Sequence, residues 1–301
     1  MIDHSTMRLG KRPRRHDPRT LKLGRYVKST LAPAPPCVDY TRGITNWGMM
    51  LNDRLGDCII ADGPGHATQV WTLNATGTMM TPADPLILET YEKWCGYNPA
   101  DPNTDQGGVE LDVLNHWRQQ GFADQPLDAY GAIELAQGPH PTIPMLEVMD
   151  AIWLFGGAYI GVELPISAQT QDVWDVPANP GPDDEPGSWG GHAVYLVGYD
   201  SAVADTGFQI PNSGSPNPGS ANPESPNPEP QVASPVSRVP CPGSLTCITW
   251  GQLKKMTWQW FAKYCSEAYG LVAKEWLEAS GVSPSGFDLA ALENDLKLVT
   301  A

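Results

Sequence analysis

With 301 residues, 41% of them hydrophobic, the chain is long enough to bury one large core or two modest ones. Its 30 glycines, 30 prolines and only 18% charged residues exclude a coiled coil or helical bundle and point to a loop-rich protein of mixed α and β structure. The net charge of −15 describes a body that repels phosphate, which disfavours nucleic acid as a partner.

Residues 1–35 form a basic arm. Nine Lys or Arg in the first 30 residues face only Asp3 and Asp17, leaving about −22 for the rest of the chain. Such an arm docks on an acidic partner or on its own acidic domain. The arm lacks the apolar centre of a secretory signal, and no run reaches the roughly 18 apolar residues of a membrane span. A cytoplasmic or particle-associated protein with no membrane contact is therefore expected. The six cysteines (Cys37, Cys58, Cys95, Cys241, Cys247 and Cys265) contain no CxxC pair, so neither a metal site nor a cofactor is expected. A Cys241–Cys247 bridge would form only in an oxidising compartment.

Beyond a Pro-rich step at 32–36, residues 36–135 read as a helical lobe with helices at Leu86–Trp94 and Val109–Gln120. In the second of these, Val113, Leu114 and Trp117 recur at helical spacing behind Glu110 and Asp112. Residues 143–275 read as a β lobe. A helix at Pro144–Phe155 is followed by strands at Ala158–Leu164, Ala193–Tyr199 and Thr246–Trp250. Helices first and strands later predict an α+β fold of two lobes. A Pro-rich insertion at 211–242 carries ten prolines in 32 residues and is expected to be an extended, solvated loop. The aromatic stretch Met256–Tyr269 is expected to pack in the core near Trp250, and residues 276–301 to form a tail.

Two residues carry the chemistry. Cys58 ends the polar turn Asn52-Asp53-Arg54-Leu55-Gly56-Asp57 and opens an apolar stretch, as where a loop enters a helix whose N-terminus can lower a thiol pKa. Pro64, six residues on, is expected to interrupt that helix. His192 stands behind Gly190 and Gly191 at the head of an apolar strand, held by a sheet with its ring free for a cleft. His66, His116 and His140 lack partners at metal spacing and read as structural or surface residues.

Over residues 36–272 the chain resembles the papain-like cysteine peptidases. Pro36 to Arg42 resembles the family's Pro…Val-Asp-Trp-Arg-like opening, and Gly191-His192-Ala193-Val194-Tyr195-Leu196-Val197-Gly198-Tyr199 resembles its histidine signature. The 134-residue interval from Cys58 to His192 fits the family's spacing and argues against the smaller cell-wall amidase folds. The resemblance implies a papain-like two-lobed fold with Cys58 as nucleophile and His192 as base. Asn52, six residues before the nucleophile, takes the position of an oxyanion-stabilising Gln, and Gly107-Gly108 resembles the glycine pair that lines the substrate groove. The family's orienting Asn-Ser-Trp-Gly corresponds to Ile248-Thr249-Trp250-Gly251, so Ile248 replaces the Asn. Ile cannot accept the imidazole N–H, and a carbonyl, a water, Asp200 or Asn212 must do so instead. The resemblance thus implies a thiol hydrolase of peptide or isopeptide bonds, with a peptide or protein substrate in the groove. The alternative is a catalytically silent binding or structural module, for example a component of a phage or bacterial particle.

Overall fold

The computed structural model describes residues 4–135, 142–200, 243–280 and 286–299. The Pro-rich insertion, Cys241, Asn212 and His140 lie outside the described residues. One sheet, antiparallel except at its β4 edge, organises the rest. It is built from β1 (Cys37–Asp39), β2 (Ala129–Ala132), β3 (Ala158–Leu164), β4 (Val173–Trp174), β5 (Gly190–Asp200), β6 (Ser244–Thr249), β7 (Gln252–Thr257) and β8 (Cys265–Val272). The strand order is β2-β8-β3-β5-β6-β7-β4, with β1 paired to the end of β5 and β4 parallel to β7. β5 is central and buried from His192 to Tyr199, which is why its sequence is a continuous apolar run rather than an alternating one.

The helical lobe packs against this sheet. Cys58 heads α1 (Cys58–Ile60), the residues Ala61–Gly65 form a π-turn, and α2 (His66–Thr76) continues the column. The interruption expected around Pro64 takes the form of this π-turn, which carries the column on into α2. Proline has no N–H to give to a carbonyl one turn back, and the widened turn absorbs the missing bond, with His66 N–H reaching Ala61 O. α3 (Asp84–Cys95) and α4 (Glu110–Gln120) complete the lobe, both close to the expected bounds. Trp71 of α2 stacks on Trp117 of α4 at 5.5 Å, uniting the two helices in one core. α5 (Thr142–Phe155) precedes β3.

Three segments differ from the sequence reading. β2 falls within the stretch assigned to the helical lobe, yet it pairs with β8 from Ala129↔Val272 to Ala132↔Tyr269, so the sheet crosses the expected boundary. The aromatic stretch divides into α6 (Trp258–Tyr264) and β8, because Thr257 caps a helix by accepting the Trp260 N–H. The expected tail contains most of α7 (Lys274–Ser280) and all of α8 (Leu289–Val299). Trp276, Leu292 and Leu296 are buried there, the two leucines four residues apart on one face of α8.

Aromatic rings bind the β lobe to the site. Trp260 of α6 stacks on Trp174 at 4.7 Å, and Trp174 meets Trp250 edge-on at 6.4 Å. Trp174 is fully buried and donates its indole N–H to Ala168 O. Trp174→Ala should therefore lower unfolding free energy by about 3–5 kcal/mol, whereas Val173→Ala on the exposed face should change it by about 0.5 kcal/mol or less. Chemical denaturation of the two variants checks this.

Candidate active site

The loop before Cys58 is held in an unusual conformation. Met50 and Leu51 both have positive φ, 47° and 73°, and the Leu51 carbonyl accepts the N–H groups of Arg54 and Leu55. This tight turn delivers Cys58 to the start of the helical column, facing β5. The Cys58 sulfur accepts the backbone N–H of Ala193 at 3.4 Å, so the residue following His192 touches the thiol directly. Both Cys58 and His192 are fully buried.

His192 is fixed from three sides. Trp250 stacks on its ring at 4.3 Å and 18°. Trp250 itself adopts φ 45° in a hairpin turn with Gly251 at φ 69°, a conformation in which a non-glycine residue is strained. Nε2 lies 2.7 Å from Thr249 Oγ1 and 3.6 Å from Asp62 Oδ2. Nδ1 is buried without a hydrogen-bond partner among the described residues. A proton on Nε2 satisfies Thr249 and faces the Asp62 carboxylate, leaving the lone pair on Nδ1.

Among the described residues, the groups that face His192 Nε2 are therefore Thr249 and Asp62 rather than Asp200, and Asn212 lies outside the described residues. Asp200 sits at the far end of β5, paired with Cys37 and Ser244. Ile248 occupies a buried β6 position opposite Tyr195, and the next residue supplies the hydroxyl. Asp62, one helical turn beyond Cys58, was not singled out by sequence, although its four-residue spacing from both Cys58 and His66 is a legible signal. It pairs with His66 Nε2 at 3.0 Å, and His66 Nδ1 meets Gln69 Oε1 at 2.6 Å. Burial raises the Asp62 pKa to about 6 against the opposing pull of His66. His66 is thus a structural histidine, as expected. His116 lies on α4 against the Trp94 ring, 5.9 Å between centroids.

Asn52 is buried beneath the same turn. Its Nδ2 donates to Leu55 O at 3.1 Å and to Asp57 Oδ1 at 3.3 Å, so both amide protons are engaged within the loop. Burial, reinforced by Asp62, holds Asp57 above the ordinary carboxylate range.

The groove between Cys58 and Gly107-Gly108 is occupied by the chain itself. Gly108 N–H donates to Gly10 O at 2.8 Å, Arg12 N–H to Gly108 O at 2.8 Å, and Lys11 N–H to Gly191 O at 3.1 Å. One short stretch of the basic arm is thus hydrogen-bonded to both walls. Gly10 passes so close to the nucleophile turn that a Cβ on it would overlap the Gly56 carbonyl, and a Cβ on Gly107 would overlap Gly10 in turn. The Gly10 N–H is directed at the Cys58 sulfur, and the indole of Trp250 donates to Arg8 O at 3.2 Å. His4 stands against the outer face of Trp250, ring centroids 5.2 Å apart. The arm is not detached beyond this point, since Leu23 and Tyr26 are buried and Leu21 O accepts the Ala132 N–H on β2. Sequence placed a basic arm on an acidic body but gave no sign of which residues enter the groove.

This covering sets the electrostatics. Burial, then the nearby Asp62, pushes the Cys58 thiol far above its ordinary value, outweighing the Ala193 and Gly10 N–H groups. Burial, with a smaller contribution from His4, lowers His192 to about 3. In the covered site both partners are neutral. The described residues contain no cluster of metal-ligating side chains and no helix long and apolar enough to cross a membrane.

Neither a protein-family model nor a curated protein matches the sequence. Among solved structures the chain is similar to xylellain, a cysteine protease from Xylella fastidiosa. That alignment has 14% identity, covers 88% of this chain and 96% of that chain, and has a TM-score of 0.53. Recombinant stem bromelain precursor aligns at 11% identity over 91% of this chain and 80% of that one, with a TM-score of 0.48. The cysteine protease and lectin-like domains of Cwp84, a surface layer associated protein of Clostridium difficile, align at 10% identity, covering 89% and 56%, with a TM-score of 0.49. The chain has the α+β fold of the papain-like cysteine proteases.

The lowered pKa makes a directional prediction. His192 should stay neutral as pH falls through 6.5 and take a proton only near pH 3 while the arm is docked. Because an uncovered imidazole would protonate near pH 6.5, docking loses stability as pH falls from there toward 3. An NMR titration should show no His192 transition between pH 5 and 8, and Thr249→Val should move its ring-nitrogen shifts. A transition near 6.5 would show that the ring is hydrated and the arm undocked.

Proposed function

We propose that the chain is a thiol hydrolase of peptide or isopeptide bonds whose groove is held closed by its own N-terminal arm. The observation that carries this reading is the arm itself. An extended stretch of polypeptide already lies across Cys58, hydrogen-bonded to glycine backbone on either side. The groove that accepts this segment has the width and the hydrogen-bonding edges to accept another. In the covered form the group that Gly10 presents to the sulfur is a backbone N–H.

With the arm displaced, water returns and the desolvation that keeps both groups neutral is lifted. The thiol proton passes to His192 Nδ1, and the thiolate attacks the substrate carbonyl. The C–N bond breaks as the imidazolium protonates the leaving amine, leaving a thioester on Cys58. His192 then deprotonates a water that hydrolyses the thioester and restores the thiol. The backbone N–H of Cys58, at the positive end of the helical column, is the first oxyanion donor. Asn52 is the second, exchanging its bond to Asp57 for the oxyanion. Thr249, backed by Asp62, takes over the orienting role that Ile248 cannot fill. Gly107 and Gly108 pair with the substrate backbone, and Trp250 keeps the imidazole in plane and dry.

The silent-module alternative is favoured by the neutral, covered dyad, and one variant separates the two. Gly10→Val should expel the arm by collision with Gly56 while leaving the dyad intact. Labelling of Cys58 by an epoxide thiol inhibitor should rise by on the order of a hundredfold, as expected when a small competent population becomes dominant. Reactivity should persist down to about pH 5–6 and disappear in Gly10→Val/His192→Ala. Reaction only near the ordinary thiol pKa of about 8.5, identical with and without His192, would leave the silent module as the correct reading.

A further inference from the structure

Lys11, the arm residue that pairs with both groove walls, sends its side chain down into the β lobe rather than out to solvent. The side chain is fully buried. Its Nζ lies 2.9 Å from Glu163 Oε1 and 3.2 Å from Glu267 Oε1. Glu110, at the head of α4, is the third carboxylate of the pocket. It is fully buried, and neither of its oxygens has a hydrogen-bond partner among the described residues. A Cβ built on Gly161 of β3 would overlap Lys11 Cε and stand 2.6 Å from Glu110 Oε1, so Gly161 forms the floor against which both side chains rest.

Three carboxylates from three separate elements therefore converge on one ammonium. Burial alone would push a lysine toward neutrality, but Glu110, Glu267 and Glu163 together hold Lys11 above its ordinary pKa. The two flanking carboxylates are themselves held in place. Ser266 Oγ donates to Glu163 Oε1 at 3.1 Å and Tyr269 OH to Glu267 Oε2 at 2.9 Å. Clustering three carboxylates, Glu110 and Glu267 buried and Glu163 about one-third exposed, is costly unless a cation occupies the space between them. A carboxylate-lined pocket of this kind rejects apolar side chains more strongly than it rejects small changes in shape, because an apolar occupant leaves the buried carboxylates without a counter-charge.

We propose that the pocket formed by Gly161, Glu110, Glu163 and Glu267 is the groove's specificity pocket and takes a lysine or arginine side chain of the substrate. Lys11 is the resident copy of that side chain. This assignment rests on the thiol-hydrolase reading above and adds the substrate class to it. Lys11 brings its side chain to the pocket from a backbone paired at Gly108 and Gly191, and a substrate strand paired at the same edges places a side chain there as well. Basic selection also explains why the occluding arm is basic at this position while the body is acidic.

The test uses the full chain carrying Gly10→Val, with Lys11→Ala as a second groove-opening variant that does not rely on the Gly56 collision. Peptidyl epoxides that differ only in the side chain destined for the pocket (lysine, arginine, norleucine or glutamate) are compared by rate of Cys58 modification, read by intact mass. Iodoacetamide, which needs no pocket, is run alongside. Lysine and arginine probes should react about a hundredfold faster than norleucine. Glu267→Gln and Glu110→Gln should each erode that ratio, and Gly161→Val should slow the basic probes while sparing iodoacetamide. Equal rates for lysine and norleucine, in a chain whose iodoacetamide reaction is still His192-dependent, would overturn the pocket assignment alone. Loss of His192 dependence with iodoacetamide would instead overturn the hydrolase reading on which it rests.

Discussion

The backbone hydrogen bonds of residues 10–12 to Gly108 and Gly191 determine the state of everything around Cys58. They place a strand of the chain over the thiol, exclude water from the dyad and carry Lys11 into its acidic pocket. The electrostatic consequences follow from that exclusion. The thiol and the imidazole beneath the arm are both forced neutral, Cys58 upward and His192 down to about 3. Glycine is what allows this. At Gly10, Gly56 and Gly107 the arm and the wall approach more closely than any side chain would permit. The same closeness makes the arrangement sensitive to one added methyl group.

Beneath the arm, a hydroxyl and a carboxylate stand beside His192 where Ile248 offers it no acceptor. With Ile248 buried in β6, the Thr249 hydroxyl and the Asp62 carboxylate face the outer nitrogen of His192. Asp62 reaches that position from the widened turn that Pro64 imposes on the helical column. The interruption and the missing Asn are therefore two parts of one local solution. His66 and Gln69 extend it inward, since Gln69 Nε2 donates to Trp47 O at 2.6 Å and Thr81 Oγ1 at 2.9 Å. A buried carboxylate supported in this way stays fixed between two imidazoles.

Much of the fold was legible because it is written in short, regular signals. The apolar run of β5 behind two glycines, the helical spacing in α4 and the turn-to-apolar switch at Cys58 each state their own structure. The rest was hidden for physical reasons. β2 is only four residues long and acquires its strand character from β8. The α8 helix hides its apolar face among charged residues. At the site, Thr249 could be aligned with a family position, but its role depends on a 2.7 Å contact across two strands. The pocket for Lys11 draws on Glu110, Glu163 and Glu267, which are distant in sequence, and no local pattern announces their meeting. The arm's charge was visible; its register in the groove was not, because that depends on glycine-to-glycine contacts.

The central claim is that Cys58 and His192 form a working pair once the arm leaves. The most direct measurement is cleavage of a proteome-derived peptide library by the Gly10→Val chain, with new amine termini read by mass spectrometry against a Gly10→Val/Cys58→Ala control. The account predicts new termini that depend on Cys58, at sequences carrying lysine or arginine at one fixed position before or after the cut. A library left unchanged by a folded Gly10→Val chain whose arm is shown to be displaced would contradict it.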